Sequence, residues 1–441
     1  MDTSDHEVNL KILLSGLMTS GELTRPDRDA LLHAMTDEVA DHVLRTNYDQ
    51  NVLLGVTMFT EHELSSVIPR ALTSLESTAG LDRDLEFLPS DGELTRRATA
   101  GVALYQPENC VAVAYAKLAA KHAIIDSDLP DDPWLRTTLA QYFPAQVRER
   151  FPEAIQRHPL RREIITTVVA NLMVNHGGFT FAFRTMEETG ASTPHAARGF
   201  LATREVFDLG GYAAAVEALD GQVPAATQYR MLLAMRRLLD RGTRWFLAAR
   251  PAHLDLATEI DKFTAPLARL GVDLGQLLAG GERERFEKDV QCYVDEGVPA
   301  ELAARAAGLL DAYSFLDIVE IATDLDLPAG DVAALYYLLS EEFGIDDLLR
   351  QVARLPRVDR WETLARVALR QDLYAVDEAL TRCVLDTAPA GTPAERIGHW
   401  EARSAERVQR ARTTLQGMDL TGESNIAALS VALRSLRSMV R

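Results

Sequence analysis

Ser4 and Glu7 stand three residues apart, directly ahead of the apolar run Val8, Leu10, Ile12, Leu13 and Leu14. A Ser-x-x-Glu spacing before such a run marks the start of a helix, with the serine capping free backbone N–H groups and the glutamate reaching back to the cap. A helix start also gathers unpaired N–H groups and the positive end of the macrodipole, so it can hold an anion. Ser4 therefore carries two readings from its spacing, a cap or a hydrogen bond to a bound carboxylate. Other chemistry is sparse. The chain has no GxGxxG after a strand, no GxxxxGK[ST], no HExxH and no nucleophile-elbow pattern. Gly177-Gly178 and Gly280-Gly281 read as helix ends needing positive φ rather than as phosphate loops. Arg230, Arg237, Arg241 and Arg244 fall near one helix face, which can dock an acidic group or stand as a solvated, salt-bridged surface; the second is the expectation. The ten histidines make no i, i+4 pair suited to a metal. Cys110, Cys292 and Cys383 have neither CxxC nor zinc spacing and are expected as buried free thiols in a reducing compartment.

The elements that must position these residues are helices. Apolar residues recur at helical spacing along almost the whole chain, and Ala, Leu and Arg are abundant. Val8, Ile12, Leu13 and Leu17 define the first expected face. Leu31, Leu32, Met35, Val39, Val43 and Leu44 define the next, in a helix opening after Thr24 with Pro26 in its first turn. Pro69 bends or restarts a third, and a further helix follows Pro107. Ile164 to Met173 form a strongly apolar helix, and Ala225 to about Leu247 another. Phe179–Phe183, a weak strand candidate, reads better as helix or loop. A polar helix follows Pro393, and a terminal one runs from Ile426 to Val440. The expected fold is all-α, an array of multi-helix bundles. Polar, Pro- and Gly-containing breaks near 126–133, 220–224 and 386–393 are candidate boundaries.

The 441 residues suffice for several folding units, and 47% hydrophobic residues exclude a disordered chain. A net charge of −19 repels phosphate backbones and anionic lipid, so neither nucleic acid nor membrane is an expected partner. Residues 1–9 are polar and acidic, unlike a signal peptide. No apolar stretch reaches the ~18 residues that span a bilayer. A cytoplasmic protein is the expectation. A buried-looking helix so close to the first residue also reads as the continuation of something longer.

The opening segment Asp2-Thr3-Ser4-Asp5-His6-Glu7-Val8-Asn9-Leu10-Lys11-Ile12 resembles the stretch that closes the dinucleotide domain of the large NAD-specific glutamate dehydrogenases of bacteria. The resemblance continues in order through Leu23-Thr24-Arg25, Met35 to Ala40, Asn47 to Asn51, Leu160 to Ile165 with Asn171, Arg244-Trp245, Trp361 to Arg366 and Leu429 to Arg434. Leu104-Tyr105-Gln106-Pro107-Glu108-Asn109 departs from the Leu-Thr-Arg-Pro-Glu-Leu of that family. The resemblance implies oxidative deamination of L-glutamate to 2-oxoglutarate and ammonium with NAD. It implies residues 1–60 as the last strip of the catalytic domain and 61–441 as a C-terminal helical domain. Ser4 is the position matching the family's serine for the substrate's side-chain carboxylate, with Glu7 as its support. The catalytic lysine and aspartate and the cofactor glycines belong to upstream sequence, so no catalytic residue is assigned here, NAD is bound upstream, and the chain alone is expected to be inactive. The helical part is expected to pack on catalytic domains within a homo-oligomer. The alternative is a stand-alone, non-catalytic helical interaction or regulatory protein.

Overall fold

The computed structural model describes residues 2–60, 64–357, 359–388, 390–417 and 425–440, with side chains from Asp5 onward. Among these residues all regular structure is helical: twenty-four α-helices, α1 to α24, three short 3₁₀ segments and no strand. The all-α expectation holds. By internal contacts the chain divides into two units. One is Met1–Leu201 with Phe246–Ala257, and the other is Ala202–Trp245 with Thr258–Arg441.

In the first unit, α1 (Asp2–Thr19) buries Leu10, Leu13, Leu14 and Leu17, an i, i+3, i+4, i+7 stripe that faces a core. Val8 is half exposed, so the stripe is rotated from the expected one: Leu10 and Leu14 replace Val8 and Ile12. The single helix expected after Thr24 is two, α2 (Arg25–Ala34) and α3 (Thr36–Thr60). Thr24 Oγ1 accepts from the Asp27 N–H at 3.3 Å, with Pro26 in the first turn. The break falls at buried Met35, where the Thr36 hydroxyl lies 3.2 Å from Leu32 O and 3.0 Å from His33 O. A side chain that serves carbonyls in this way competes with helix continuation. Leu44, assigned to the buried face, is exposed. Helix α4 (Ile68–Ala79) restarts with Pro69 in its first turn.

Two apolar helices, α6 (Gln106–Ile125) and α10 (Arg161–Gly177), pack with α3 and α4 around Leu53, Ile68, Leu72, Leu104, Ala112 and Val174. After α10 the chain turns through 86° into α11 (Phe181–Thr189), which resolves Phe179–Phe183 as turn and helix. Gly178 makes this corner at φ +88°, a conformation costly for any residue with a Cβ. No single helix among the described residues is long and apolar enough to cross a membrane; α10 and α11 reach that composition only together, across the bend.

A Cβ on Gly177 would lie 2.7 Å from Cγ of buried Phe181. Gly177→Ala is expected to destabilise the chain by about 1–3 kcal/mol through overpacking. Gly16, in exposed α1 backbone with nothing within 4 Å of its would-be Cβ, gives the opposite sign. Gly16→Ala is expected to stabilise by about 0.4–1 kcal/mol because alanine loses less entropy in a helix. Urea unfolding of the pair checks both signs.

In the second unit, α14 (Ala225–Ala249) supplies residues up to Trp245 and is followed by α15 (Leu256–Leu277), α16 (Gly280–Asp295) and α17 (Ala300–Gly308). Next come α18 (Phe315–Leu325), α19 (Ala329–Phe343), α20 (Ile345–Arg354) and the long α21 (Arg360–Thr387). The one polar helix expected after Pro393 is two, α22 (Pro393–Arg403) and α23 (Ala405–Gln416), before α24 (Ile426–Val440). Thr392 and Glu395 form a reciprocal capping box at α22.

Candidate functional site

Ser4 lies in the first turns of α1, and its side chain falls outside the described residues. Glu7 is half exposed and accepts from Lys11 Nζ one turn further along. What the structure does describe is how α1 is held.

His6 and Asn9 stand on the same side of α1, three residues apart, where side chains share a face. The His6 ring stacks on Tyr142 with centroids 4.2 Å apart and 20° between planes, and meets His42 edge-on at 5.3 Å. Asn9 Nδ2 donates to Tyr142 Oη at 2.9 Å. The carbonyl of the same Asn9 lies 3.0 Å from His158 Nε2. The Leu160 N–H donates to His158 Nδ1 at 3.0 Å, so the hydrogen of the neutral ring is on Nε2, and it donates to Asn9 O. His158 is only 2% exposed, and burial holds its pKa below the ordinary histidine value, favouring this neutral form. Tyr142 is pushed above the usual phenol range, chiefly by burial.

Three short helices aim these groups: α7 (Arg136–Gln141), α8 (Ala145–Arg150) and α9 (Pro152–Gln156). Tyr142 and Phe143 follow α7 directly, and Pro144 opens α8. Glu38 of α3 accepts from the Ala145 N–H at 2.8 Å, answering one free donor at the start of α8. The result is a clamp in which α1 is gripped at one backbone carbonyl and two side chains while its leucines enter the core.

None of His6, Asn9, Tyr142 and His158 was a candidate in the sequence. Their signal is faint: polar His6 and Asn9 flank a leucine stripe, and Tyr142-Phe143-Pro144 and His158-Pro159 are ring–proline junctions.

The other candidates resolve differently. Gly280 has φ +44° but opens α16 rather than closing a helix. Glu341 occupies that terminus, accepting from the Gly281 N–H at 3.2 Å. The α14 arginines are only in part a solvated face. Arg244 is 8% exposed, Arg230 pairs with Glu296, and Arg241 reaches Tyr374 Oη at 3.3 Å. Arg230, with 41% of its side chain exposed, keeps the salt-bridged surface position expected of it. The three cysteines are free, but Cys110 and Cys292 are exposed and Cys383 partly so; the expectation of buried thiols fails because these positions fall off the inward helix faces. Among the described residues no group of three or more His, Cys, Asp or Glu is placed to hold a metal ion.

Comparison with known proteins adds the following. The family described as "Glutamate dehydrogenase, C-terminal" matches residues 101–438. The family described as "Bacterial NAD-glutamate dehydrogenase, catalytic domain" matches residues 1–57. The chain is similar to an NAD-specific glutamate dehydrogenase of Mycobacterium tuberculosis, 40% identical over 442 aligned positions covering 100% of this chain. It is 37% identical to one of Pseudomonas aeruginosa over 100% of its length, and 36% identical to one of Halomonas elongata over 99%. The chain spans 27% of the length of each of these three relatives.

Proposed function

The chain belongs to the glutamate dehydrogenase family, and we propose that it is the C-terminal part of an enzyme converting L-glutamate, NAD and water to 2-oxoglutarate, ammonium and NADH. The observation that carries this reading is the order of the two family matches, a catalytic-domain match on residues 1–57 followed by the C-terminal match on 101–438. On this reading residues 1–60 complete the catalytic domain, and 61–441 form a helical domain that packs on it and supports a homo-oligomer. The three free thiols suit a reducing cytoplasm.

Ser4 hydrogen-bonds the side-chain carboxylate of glutamate in this proposal. The first turn of α1 favours an anion through its free N–H groups and the helix dipole. The clamp of Tyr142 and His158 supports the reading by giving that turn a fixed direction. NAD does not fit the residues described here. Dinucleotide binding needs a strand leading through a glycine-rich turn into a helix, and the described residues contain no strand. On this reading the cofactor is bound by other sequence, and hydride transfer by the 441 residues alone is not expected, because it requires nicotinamide and substrate in contact.

Glutamate-dependent formation of NADH by the purified chain tests this directly. No turnover is expected, and turnover near that of an intact family member would overturn the reading. In the enzyme that includes the preceding sequence, Ser4→Ala is expected to weaken glutamate binding by about 1–3 kcal/mol, roughly 5- to 150-fold. An unchanged KM and kcat would remove Ser4, the third residue of α1, from the substrate site.

A further inference from the structure

Between α4 and α5 (Asp91–Thr99) the chain makes a separate hydrogen-bonded turn over residues 83–87. Asp82 caps its start: Oδ1 accepts from the Asp84 and Leu85 N–H groups at 3.1 and 3.0 Å. Its far end closes with the Leu88 N–H on Arg83 O at 2.8 Å and the Phe87 N–H on Asp84 O at 3.4 Å. That pair of bonds ends a helical turn whose last residue is left-handed, a position glycine fills most easily. Here the residue is Phe87, at φ +55°, where a Cβ is crowded.

The turn is held from beneath. Leu81 and Leu88, at its two ends, are buried in the same core as Leu72 and Leu75. The Arg83 side chain is 12% exposed, pairs with Glu76 and Asp91, and donates to Thr73 Oγ1 at 2.8 Å. Glu86 accepts from Tyr115 Oη of α6 at 2.8 Å. These ties leave Leu85 and Phe87 facing outward, 70% and 89% exposed. Leu118, one turn beyond Tyr115 on α6, is exposed as well. Single exposed apolar side chains are ordinary. An outward phenylalanine kept in a crowded backbone conformation, on a turn so firmly tied, points to a use for that side chain. Asp82 and Asp84 are exposed beside it, and the charge of Arg83 is already answered, so the surroundings are acidic.

We propose that Leu85 and Phe87 are anchors that seat in an apolar pocket, edged by basic side chains, on the catalytic sequence preceding this chain. The inference rests on the reading of the chain as the C-terminal part of a longer enzyme. The turn belongs to the same unit as residues 1–57, which match a catalytic domain, and lies between that match and the C-terminal one at 101–438. The chain spans 27% of each relative's length, so on that reading most of the enzyme's surface lies in other sequence. A second copy is the poorer occupant. Two copies meeting face to face would set Asp82 and Asp84 against their own equivalents, and like charges repel. Large apolar anchors in desolvated pockets carry much of an interface's energy, and that gain offsets the crowding at Phe87.

The test is hydroxyl-radical footprinting read by mass spectrometry, at equal radical dose, on the 441-residue chain and on the enzyme that includes the preceding sequence. Leu85 and Phe87 are expected to be oxidised readily in the first. In the second they should react roughly tenfold more slowly, in proportion to the exposed area an anchor loses on seating. Phe87→Gly should raise the Tm of the 441-residue chain by about 1–4 °C by removing the crowding. In the longer enzyme the same substitution should restore the reactivity of Leu85, and Leu85→Asp that of Phe87. Undiminished reactivity of both side chains in a longer enzyme that oxidises glutamate would overturn the docking and leave the enzyme reading standing. Protection in a longer protein without activity on glutamate would overturn only the enzyme reading. Protection that appears in the 441-residue chain alone as its concentration rises would give the patch to a second copy. A fall in Tm for Phe87→Gly would remove the crowding. Either of these last two results overturns the proposal.

Discussion

Asp317→Asn raises the melting temperature of the chain near pH 8 by at least twice as much as near pH 5. Asp317 lies on α18 at 5% exposure. Its Oδ1 accepts from Trp245 Nε1 at 2.6 Å, while its Oδ2 is buried without a partner. Burial, and then the nearby carboxylate of Glu378, push its pKa up to about 7, with Trp245 and Arg382 opposing. The unfolded chain releases this proton near pH 4. The folded chain keeps it, so the stabilising contribution is complete below about pH 4 and is lost as pH rises through about 7. A gap of roughly three pH units is worth at most about 4 kcal/mol, and we expect about 2–4 kcal/mol at pH 8. Asparagine keeps an acceptor for Trp245 and removes the ionisation. Equal stabilisation at both pH values would contradict the account. Glu282, raised to about 8, and Asp377, raised well above the carboxylate range, act in the same direction.

The second large effect concerns the clamp on α1. His158→Leu fills similar space but removes both hydrogen bonds; Asn9 O, inside α1, keeps its helical donor, while the Leu160 N–H is left unanswered. At about 1–3 kcal/mol for an orphaned buried N–H, a loss of about 1–3 kcal/mol is expected near neutral pH. The pH response is opposite to that of Asp317. Burial lowers the folded-state pKa of His158, so its contribution is present above the unfolded value near 6.5 and is lost as pH falls through the folded one. Protonation would also set a second N–H against that of Leu160. Urea unfolding of His158→Leu should therefore show both a lower midpoint and a weaker acid sensitivity. A loss below about 0.5 kcal/mol would mean that the interior accommodates the unpaired N–H and the clamp does not hold α1.

Much of the architecture is legible in the residues. Helical periodicity, Pro26, Pro69 and the Thr392–Glu395 spacing mark helix starts that the structure contains. The same periodicity does not distinguish a continuous helix from two, because the stripe continues through Met35 while the Thr36 hydroxyl, a local effect, ends α2. It also cannot say what lies opposite a charged face. Arg241 and Arg244 look like surface residues until α21 is set against them, a contact across 133 positions in the case of Tyr374. The clamp was illegible for the same reason: His158 reaches Asn9 over 149 positions, and no spacing rule joins them. Ser4 drew notice because capping and anion binding are local chemistry that a four-residue pattern encodes.

The first unit takes its residues from two stretches, with Ala202–Trp245 of the other unit spelled out between them. A ribosome that has delivered Leu201 has not yet made Phe246–Ala257, so the amino-terminal unit cannot finish folding in the order it is translated. Its completion waits on a portion of its neighbour. No single cut of the gene releases either unit whole, and an expression fragment ending near residue 201 would be missing a part of itself.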